Sequence, residues 1–289
     1  MQLLAALKDA TERLTRSGVA SPQVDAELLL AHVTGVSRGE VLAWVHTDRS
    51  LTADQVVDWD RLLARREKRE PLQHLTGTAA FMSFEVSVGP GVFVPRPETQ
   101  ALVEAAIDQA LAMAVGEEGV RILDLCSGSG VVAISLARAI PHANVSAVEA
   151  SPEALAYLER NVENLAPNIR VVALSVAECA EEFGDSGFDM ILANPPYVPV
   201  SEVPNDPEVA TYDPAMALFG GADGLDIVHH IQALANSHLR PGGYLAIEHS
   251  NLQGDAVRAI MNSAGMRSVS TEKDFAERER FTHGFRPQG

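Results

Sequence analysis

Cysteine is nearly missing from this chain: Cys126 and Cys179 are the two in 289 residues. Two thiols so far apart cannot build a disulfide framework or a cysteine zinc site. They read as ordinary reduced side chains. The histidines, His229 and His230 among them, fall without metal-ligand spacing, so no metal is expected. Long apolar runs are missing too, since none approaches the roughly 18 residues that cross a bilayer. The opening MQLLAALKDATERL has amphipathic helical spacing rather than the charged-then-apolar order of a signal peptide. The expectation is a cytoplasmic protein with no membrane partner, and a monomer is the simplest state. Basic charge is the third scarcity: 22 Lys and Arg against 39 Asp and Glu leave a formal net charge of -17. Such a field repels phosphate backbones, which argues against direct nucleic-acid binding.

A chain of 289 residues has room for one large or two modest domains, each with a core of its own. Residues 1 to 75 carry repeated helix-start signals and almost no strand signal, which predicts a small helical bundle. Ser21-Pro22 supplies an N-cap with proline at the first helical position. Ser37 with Glu40, and Thr52 with Gln55, have capping-box spacing. The last helix of the bundle ends in RREKRE, from Arg65 to Glu70, the most basic stretch of the module. Such a run is more often a solvated helix end than a binding site. From Gly77 the period falls to two: Phe84, Val86 and Val88 alternate, Gly89-Pro90-Gly91 turns the chain, and Val92 and Val94 resume the pattern. A β-hairpin linker over 76–95 is the simplest account, followed by a domain over 96–289 whose first helix opens at Pro97.

After Gly119 the short apolar runs VRILDL, ANVSAVE, IRVVAL, FDMILA and GYLAIEH alternate with helical segments. This predicts an α/β fold, a parallel sheet with helices on both faces, whose ligands bind at the carboxyl ends of the strands. The first strand runs through Asp124 into Cys126, Ser127, Gly128, Ser129 and Gly130, and a helix begins near Val131. Glycine lets the backbone turn sharply against a ligand, and free amides at a helix start favour a negative group. Gly128, Gly130 and Ala133 also satisfy the dinucleotide pattern, so the loop points to a nucleotide-like cofactor without choosing one. Glu149 ends the second strand at the separation where an acid grips both hydroxyls of a ribose. Its plain alternative is a carboxylate capping the helix at Ser151. Glu178 has the same two faces: an acceptor for an adenine amino group, or a surface acid in ECAEE.

The fourth strand ends in Asn194-Pro195-Pro196-Tyr197. Two successive prolines fix the backbone and remove two donors, so the loop presents carbonyl oxygens, an amide side chain and a ring. A planar group bearing NH2 suits it: the Asn194 side-chain oxygen and the Pro195 carbonyl each accept one hydrogen, and Tyr197 packs on the face. An amide nitrogen is a poor nucleophile because its lone pair is delocalised into the carbonyl. Two acceptors hold that nitrogen still, favour positive charge as it develops, and aim it at a sulfonium methyl.

Taken together, DLCSGSG, Glu149 and NPPY resemble class I methyltransferases with a seven-stranded Rossmann-like sheet. The stretches PLQHLTGTAAF, FVPRPET, NPPYVP, YDPAMALFGGADGLD and RPGGYLAIEH narrow the likeness to the HemK/PrmC family of protein-(glutamine-N5) methyltransferases, over nearly the whole chain. The resemblance implies S-adenosyl-L-methionine as methyl donor, S-adenosyl-L-homocysteine as product, and the Gly-Gly-Gln glutamine of class I peptide chain release factors as acceptor. It implies that Asp124, Cys126, Ser127, Gly128, Ser129 and Gly130 bind the cofactor, the Gly128 and Gly130 turn holding its methionine end, with Glu149 at the ribose and Glu178 and Cys179 flanking the adenine. Asn194 to Tyr197 hold the glutamine, with Asn194 also near the cofactor, and Asn194, Pro195 and Tyr197 carry the catalysis. The N-terminal helices grip the release factor, which gives Arg65 to Arg69 an acidic surface to meet. Two residues depart from the family pattern. Cys126 stands where glycine is common, so the turn is expected not to need a left-handed residue. Cys179 stands where a bulky residue is frequent, so a roomier adenine pocket is expected. The alternatives are a ribosomal-protein glutamine methyltransferase, an exocyclic-amine methyltransferase of adenine or guanine, which would need a basic groove, and a nicotinamide oxidoreductase, which leaves NPPY without a role.

Overall fold

Capping chemistry sets the helical part of the fold. In the computed structural model, which describes residues 1–47, 49–113, 119–184 and 187–288, Ser37 Oγ accepts from Glu40 N while the Glu40 carboxylate accepts from Ser37 N. Thr52 and Gln55 make the same exchange. Each box satisfies amides that a helix start leaves without partners. The helices are α1 (Leu3–Arg16), α2 (Pro22–Thr34), α3 (Arg38–Trp44), α4 (Ala53–Glu67) and α5 (Leu72–Thr76). Pro22 does open α2, though Ser21 makes no side-chain cap bond. Leu14, Leu29, Leu30, Trp59 and Leu63 are fully buried at their centre.

A distant segment joins this unit. Asn205–Tyr212, most of it a short helix, packs with Met1–Thr78 as one compact body. Its Glu208 accepts from Arg66 at 2.6 Å and from Arg69 at 2.9 Å, and the Tyr212 hydroxyl donates to the Lys68 carbonyl at 3.0 Å. Arg66 also meets Asp25 at 2.7 Å, and Arg65 meets Glu70 at 2.5 Å. The basic run expected to meet an acidic partner is therefore paired inside its own unit, leaving Lys68 exposed. The reason is physical: Arg66 is buried, and a desolvated cation costs several kcal/mol unless anions lie beside it. Burial also raises the Asp25 pKa, against the pull of Arg66.

The second unit comprises Ala79–Pro204 and Asp213–Gly289. Its hairpin pairs β1 (Thr78–Phe81) with β2 (Phe84–Ser87) and turns at Met82, whose φ is 49°. The turn thus lies one strand earlier than Gly89-Pro90-Gly91. TAAF is too short and small-featured to announce a strand. Val88, Val92 and Val94 are buried without pairing, because a proline between them gives nothing to a ladder. There follow α6 (Thr99–Ala112), β3 (Arg121–Leu125), α7 (Val131–Ala139), β4 (Asn144–Val148), α8 (Pro152–Leu165), β5 (Arg170–Val172), α9 (Cys179–Phe183) and β6 (Phe188–Ala193). After the excursion through α10 (Pro207–Tyr212) come α11 (Ala215–Leu218), α12 (Asp226–His238), β7 (Leu239–Glu248), α13 (Gly254–Ser263), β8 (Arg267–Lys273) and β9 (Glu279–Phe285).

The large sheet has the order β5-β4-β3-β6-β7-β9-β8. The first five strands run parallel, as their apolar texture predicts, while β9 runs against its two neighbours, β7 and β8. RSVSTEK and ERFTHGF gave no apolar run because strands at an antiparallel margin are only half covered. Alternate residues feed two cores: Ile122, Ala147, Met190 and Leu192 meet α6, α7 and α8, while Leu123, Leu125, Val148 and Ile191 meet α12 and α13. Among the described residues no helix is long and apolar enough to cross a membrane.

Candidate active site

Register brings the strand ends to one level. Val172, Val148, Leu125, Ala193 and Ile247 stand side by side on β5, β4, β3, β6 and β7. One residue further on, Glu149, Cys126, Asn194 and Glu248 therefore form a row along the carboxyl edge, where an open α/β sheet binds its ligand.

The glycine loop is built from β3 outward. Asp124 is buried under it and its carboxylate accepts from the Ala133 amide of α7 at 3.2 Å. Burial pushes the Asp124 pKa up to about 7. Asp124 thus holds the loop from beneath. Cys126 has a φ of +58°, so it does adopt the left-handed conformation that its thiol was expected to avoid. The strand must reverse into the loop within one residue, and the demand of the turn exceeds the roughly 1 kcal/mol penalty on a side chain there. Burial raises the Cys126 thiol pKa, which leaves it protonated and unreactive. The Ser127 amide donates to the Val148 carbonyl at 3.0 Å and the Gly130 amide to the Ser127 carbonyl at 2.8 Å. Gly130, with φ +89°, has no room for a side chain, since a Cβ would lie 2.7 Å from Leu158 Cδ1. The open side is at Gly128, where a Cβ would meet nothing within 4 Å. Asn161 on α8, which pattern reading passed over, fixes the loop's far side: its Nδ2 donates to the Ser129 and Ser87 carbonyls at 2.9 and 3.0 Å, and its Oδ1 accepts from Ser87 N at 2.7 Å.

Glu149 makes the bond to Ser151 of its plainer reading and a second bond into the glycine loop. One carboxylate oxygen accepts from the Ser151 amide and the other from the Gly128 amide, each at 2.8 Å. Each oxygen keeps a lone pair for a further donor. Ser151 itself caps α8 through the Ala154 amide. Glu178 is exposed, and its carboxylate accepts from the Ser175 hydroxyl and amide at 2.6 and 3.2 Å, which lowers its pKa. Cys179 is fully buried, its thiol donating to the Val176 carbonyl at 3.4 Å within the core that holds Val172 and Phe183. Its side chain faces that core and does not widen a pocket, because a thiol next to valine and phenylalanine is worth more as packing than as an exposed edge.

The Asn194 loop is held from three sides. Asn194 Nδ2 donates to Thr99 Oγ1 at 3.2 Å, and among the described residues its Oδ1 takes no partner. Gln253 Nε2 donates to the carbonyls of Tyr197 and Asp223 at 3.0 and 3.2 Å. Gly224, with φ +79°, passes so close to the Tyr197 carbonyl that any side chain would overlap it. Arg96 binds Asp213 at 2.9 Å, which ties the segment ahead of α6 to the segment ahead of α11. Pro195 is buried, while Pro196 and Tyr197 are half exposed. Burial raises the Tyr197 pKa, with Glu248 adding to the effect and Arg280 opposing it, so the phenol stays neutral.

Glu248 is a further polar residue that motif reading missed. It is 2% exposed, and its Oε2 has no hydrogen-bond partner among the described residues. Burial raises its pKa to about 7, against the Thr99 hydroxyl and the charge of Arg280, which Asp274 holds at 3.1 Å. A signal existed: Glu248 follows the apolar run YLAI as Glu149 follows the end of ANVSAV. Gln253 and Asn161 carried none, since their partners are backbone atoms far away in sequence.

Known proteins share both parts of the chain. A family model described as the PrmC N-terminal domain matches residues 5–77, and one described as the Methyltransferase small domain matches residues 97–206. The release factor glutamine methyltransferase of Streptomyces coelicolor is 43% identical over 281 residues, covering 96% of each chain. Its Escherichia coli counterpart is 38% identical over 279 residues, again covering 96% of each. Among solved structures, a methyltransferase from Pyrococcus furiosus matches 78% of this chain and 98% of its own at a TM-score of 0.55 and 19% identity, a likeness of fold alone. With identity of this order over 96% of its length, the chain belongs to the release factor glutamine methyltransferase family.

Proposed function

We propose that this protein transfers a methyl group from S-adenosyl-L-methionine to the side-chain amide nitrogen of the Gly-Gly-Gln glutamine in class I peptide chain release factors. The names of its relatives supply the release factor and the glutamine. One observation about this chain carries the reading of the site: register sets the glycine loop, Glu149 and Asn194 on three adjacent strand ends. The residues suit the donor. Gly128 leaves open space beside a backbone amide, and Glu149 has lone pairs left for two ribose hydroxyls. Ser127, Ser129 and Gly130 complete the loop around the methionine end. At the adenine end Glu178 retains acceptor capacity, whereas Cys179 contributes backbone only.

S-adenosyl-L-methionine, when bound, supplies an electrophilic methyl group on a sulfonium centre. The protein's own task is to orient a weak nucleophile. Asn194 Oδ1 and the Pro195 carbonyl accept the two hydrogens of the glutamine amide and Tyr197 covers its face. Polarised this way, the nitrogen bears developing positive charge more easily. Orientation adds to that, because a fixed attacker avoids the entropy of finding the line of attack. One amide proton is released as the carbon–nitrogen bond forms, and it becomes acidic only then, so no base is required beforehand. The setting that follows is cytoplasmic, beside the translation machinery.

Mass spectrometry of a release factor incubated with the protein and donor tests the proposal. One added methyl on the Gly-Gly-Gln glutamine is expected. An unmodified release factor, with methyl appearing instead on a ribosomal protein or on DNA, would overturn it.

A further inference from the structure

Asparagine carries an acceptor and a donor at the two ends of one amide, and only one end can serve a substrate NH2. If Nδ2 faced the glutamine, two donors would confront each other and the clamp would be lost. Something must therefore choose the orientation. Thr99, buried at the start of α6, offers Asn194 Nδ2 an acceptor at 3.2 Å. A threonine hydroxyl can also donate, and would then pull Asn194 Oδ1 inward instead. Glu248 removes that option. It is buried on the adjacent strand within hydrogen-bond reach of Thr99, its Oε2 lacks a partner among the described residues, and above about pH 7, where it is ionised, its carboxylate can only accept. The Thr99 proton is drawn to that carboxylate, which leaves only the oxygen's lone pairs facing Asn194.

We infer that Thr99, set by Glu248, is a positioning residue that locks the Asn194 amide with its oxygen toward the reacting glutamine. The inference rests on the proposed glutamine transfer and adds to it the residue that fixes the polarity of the clamp. Neither Thr99 nor Glu248 touches the substrate; both act through Asn194.

The test compares wild type, Thr99→Val and Thr99→Ser. The readouts are kcat and KM for release-factor methylation, and S-adenosylhomocysteine affinity by calorimetry. Valine keeps the shape and loses the hydroxyl. It should lower kcat about a hundredfold, in line with the loss of one oriented polar contact at a transition state, with KM and product affinity unchanged. Serine restores the hydroxyl and should recover most of the rate. A Thr99→Val enzyme that turns over like wild type, or a serine variant as slow as valine, would overturn the inference while leaving the glutamine reading intact. A wild-type protein that does not methylate the release factor removes both. If valine prevents folding, asparagine-labelled wild-type protein decides by NMR. Slowed hydrogen exchange of the Asn194 side-chain NH2 supports the lock, and exchange at the rate of a free amide sinks it.

Discussion

Glu248→Gln should change how stability depends on pH, and by a calculable amount. The carboxyl ionises at about 7 in the fold, principally because it is buried, with Glu98 and Asp274 acting in the same direction and Thr99 and Arg280 against it. In the unfolded chain it ionises near the ordinary 4.5. A pKa raised by folding means that between those two values the native state holds a proton the unfolded state has already lost. Its contribution is therefore complete below pH 4.5 and is lost as the pH rises through 7. At about 1.4 kcal/mol per pH unit, the wild type gives up about 3 kcal/mol across that window. Glutamine has nearly the same shape and does not titrate. Asp124, whose pKa is also about 7, titrates in both proteins and cancels in the comparison. The assay is urea unfolding of both proteins at several values between pH 5 and pH 8. It should be followed by circular dichroism, because both tryptophans, Trp44 and Trp59, lie in the helical unit and do not report on the sheet. The stability of the variant relative to wild type should rise by about 3 kcal/mol from low to high pH. Curves that stay parallel would show that Glu248 does not titrate in this window, and the reasoning about its burial would fail.

Three further outcomes follow from the same geometry. Asn194→Ala should abolish methyl transfer, measured with labelled donor, while S-adenosylhomocysteine still binds; wild-type-like turnover would contradict the clamp. Glu149→Ala should weaken product binding by about tenfold to a hundredfold in calorimetry, because a charged acceptor of two hydroxyls is worth about 1.5 to 3 kcal/mol. The Gly128 and Ser151 amides lose their acceptor as well, and unchanged affinity would place the ribose elsewhere. Arg66→Met should destabilise the helical unit by about 3 to 5 kcal/mol, since it strands the Asp25 carboxylate and leaves Glu208 to Arg69 alone. Tryptophan fluorescence reads that unit directly, and an unshifted midpoint would mean that the buried network contributes nothing.

Local chemistry was legible where sequence neighbours supply it. The capping boxes at Ser37 and Thr52 need partners three residues away, and both form. The five parallel strands declared themselves as apolar runs because both of their faces are covered. The hairpin turn was misplaced because Gly89-Pro90-Gly91 is a strong local signal, whereas the actual turn at Met82 has none. The left-handed Cys126 was hidden for a related reason: the strain is imposed by the strand and helix that flank it, and no property of a cysteine announces it. Asn205–Tyr212 could not be assigned to the helical unit because its ties to Arg66, Arg69 and Lys68 span more than 130 positions.

The candidate site divides the same way, and the division says how to search such a sheet. Motif reading found Gly128, Glu149 and Asn194 because each ends a strand whose loop has an unusual composition. It passed over Glu248, which ends its strand in an ordinary way and matters only through the row it joins. A buried carboxylate with an unpartnered oxygen is costly to keep. On an edge that already carries a glycine loop and a strained turn, that cost makes sense if the group orders its neighbours. Register, not composition, is thus the property that separates an idle strand-end acid from one acting on the reacting group. Once Ala193 is known to stand beside Ile247, the residue after each of them must be considered together. Thr99 then follows as the side chain that bonds Asn194 and opposes the pKa rise of Glu248.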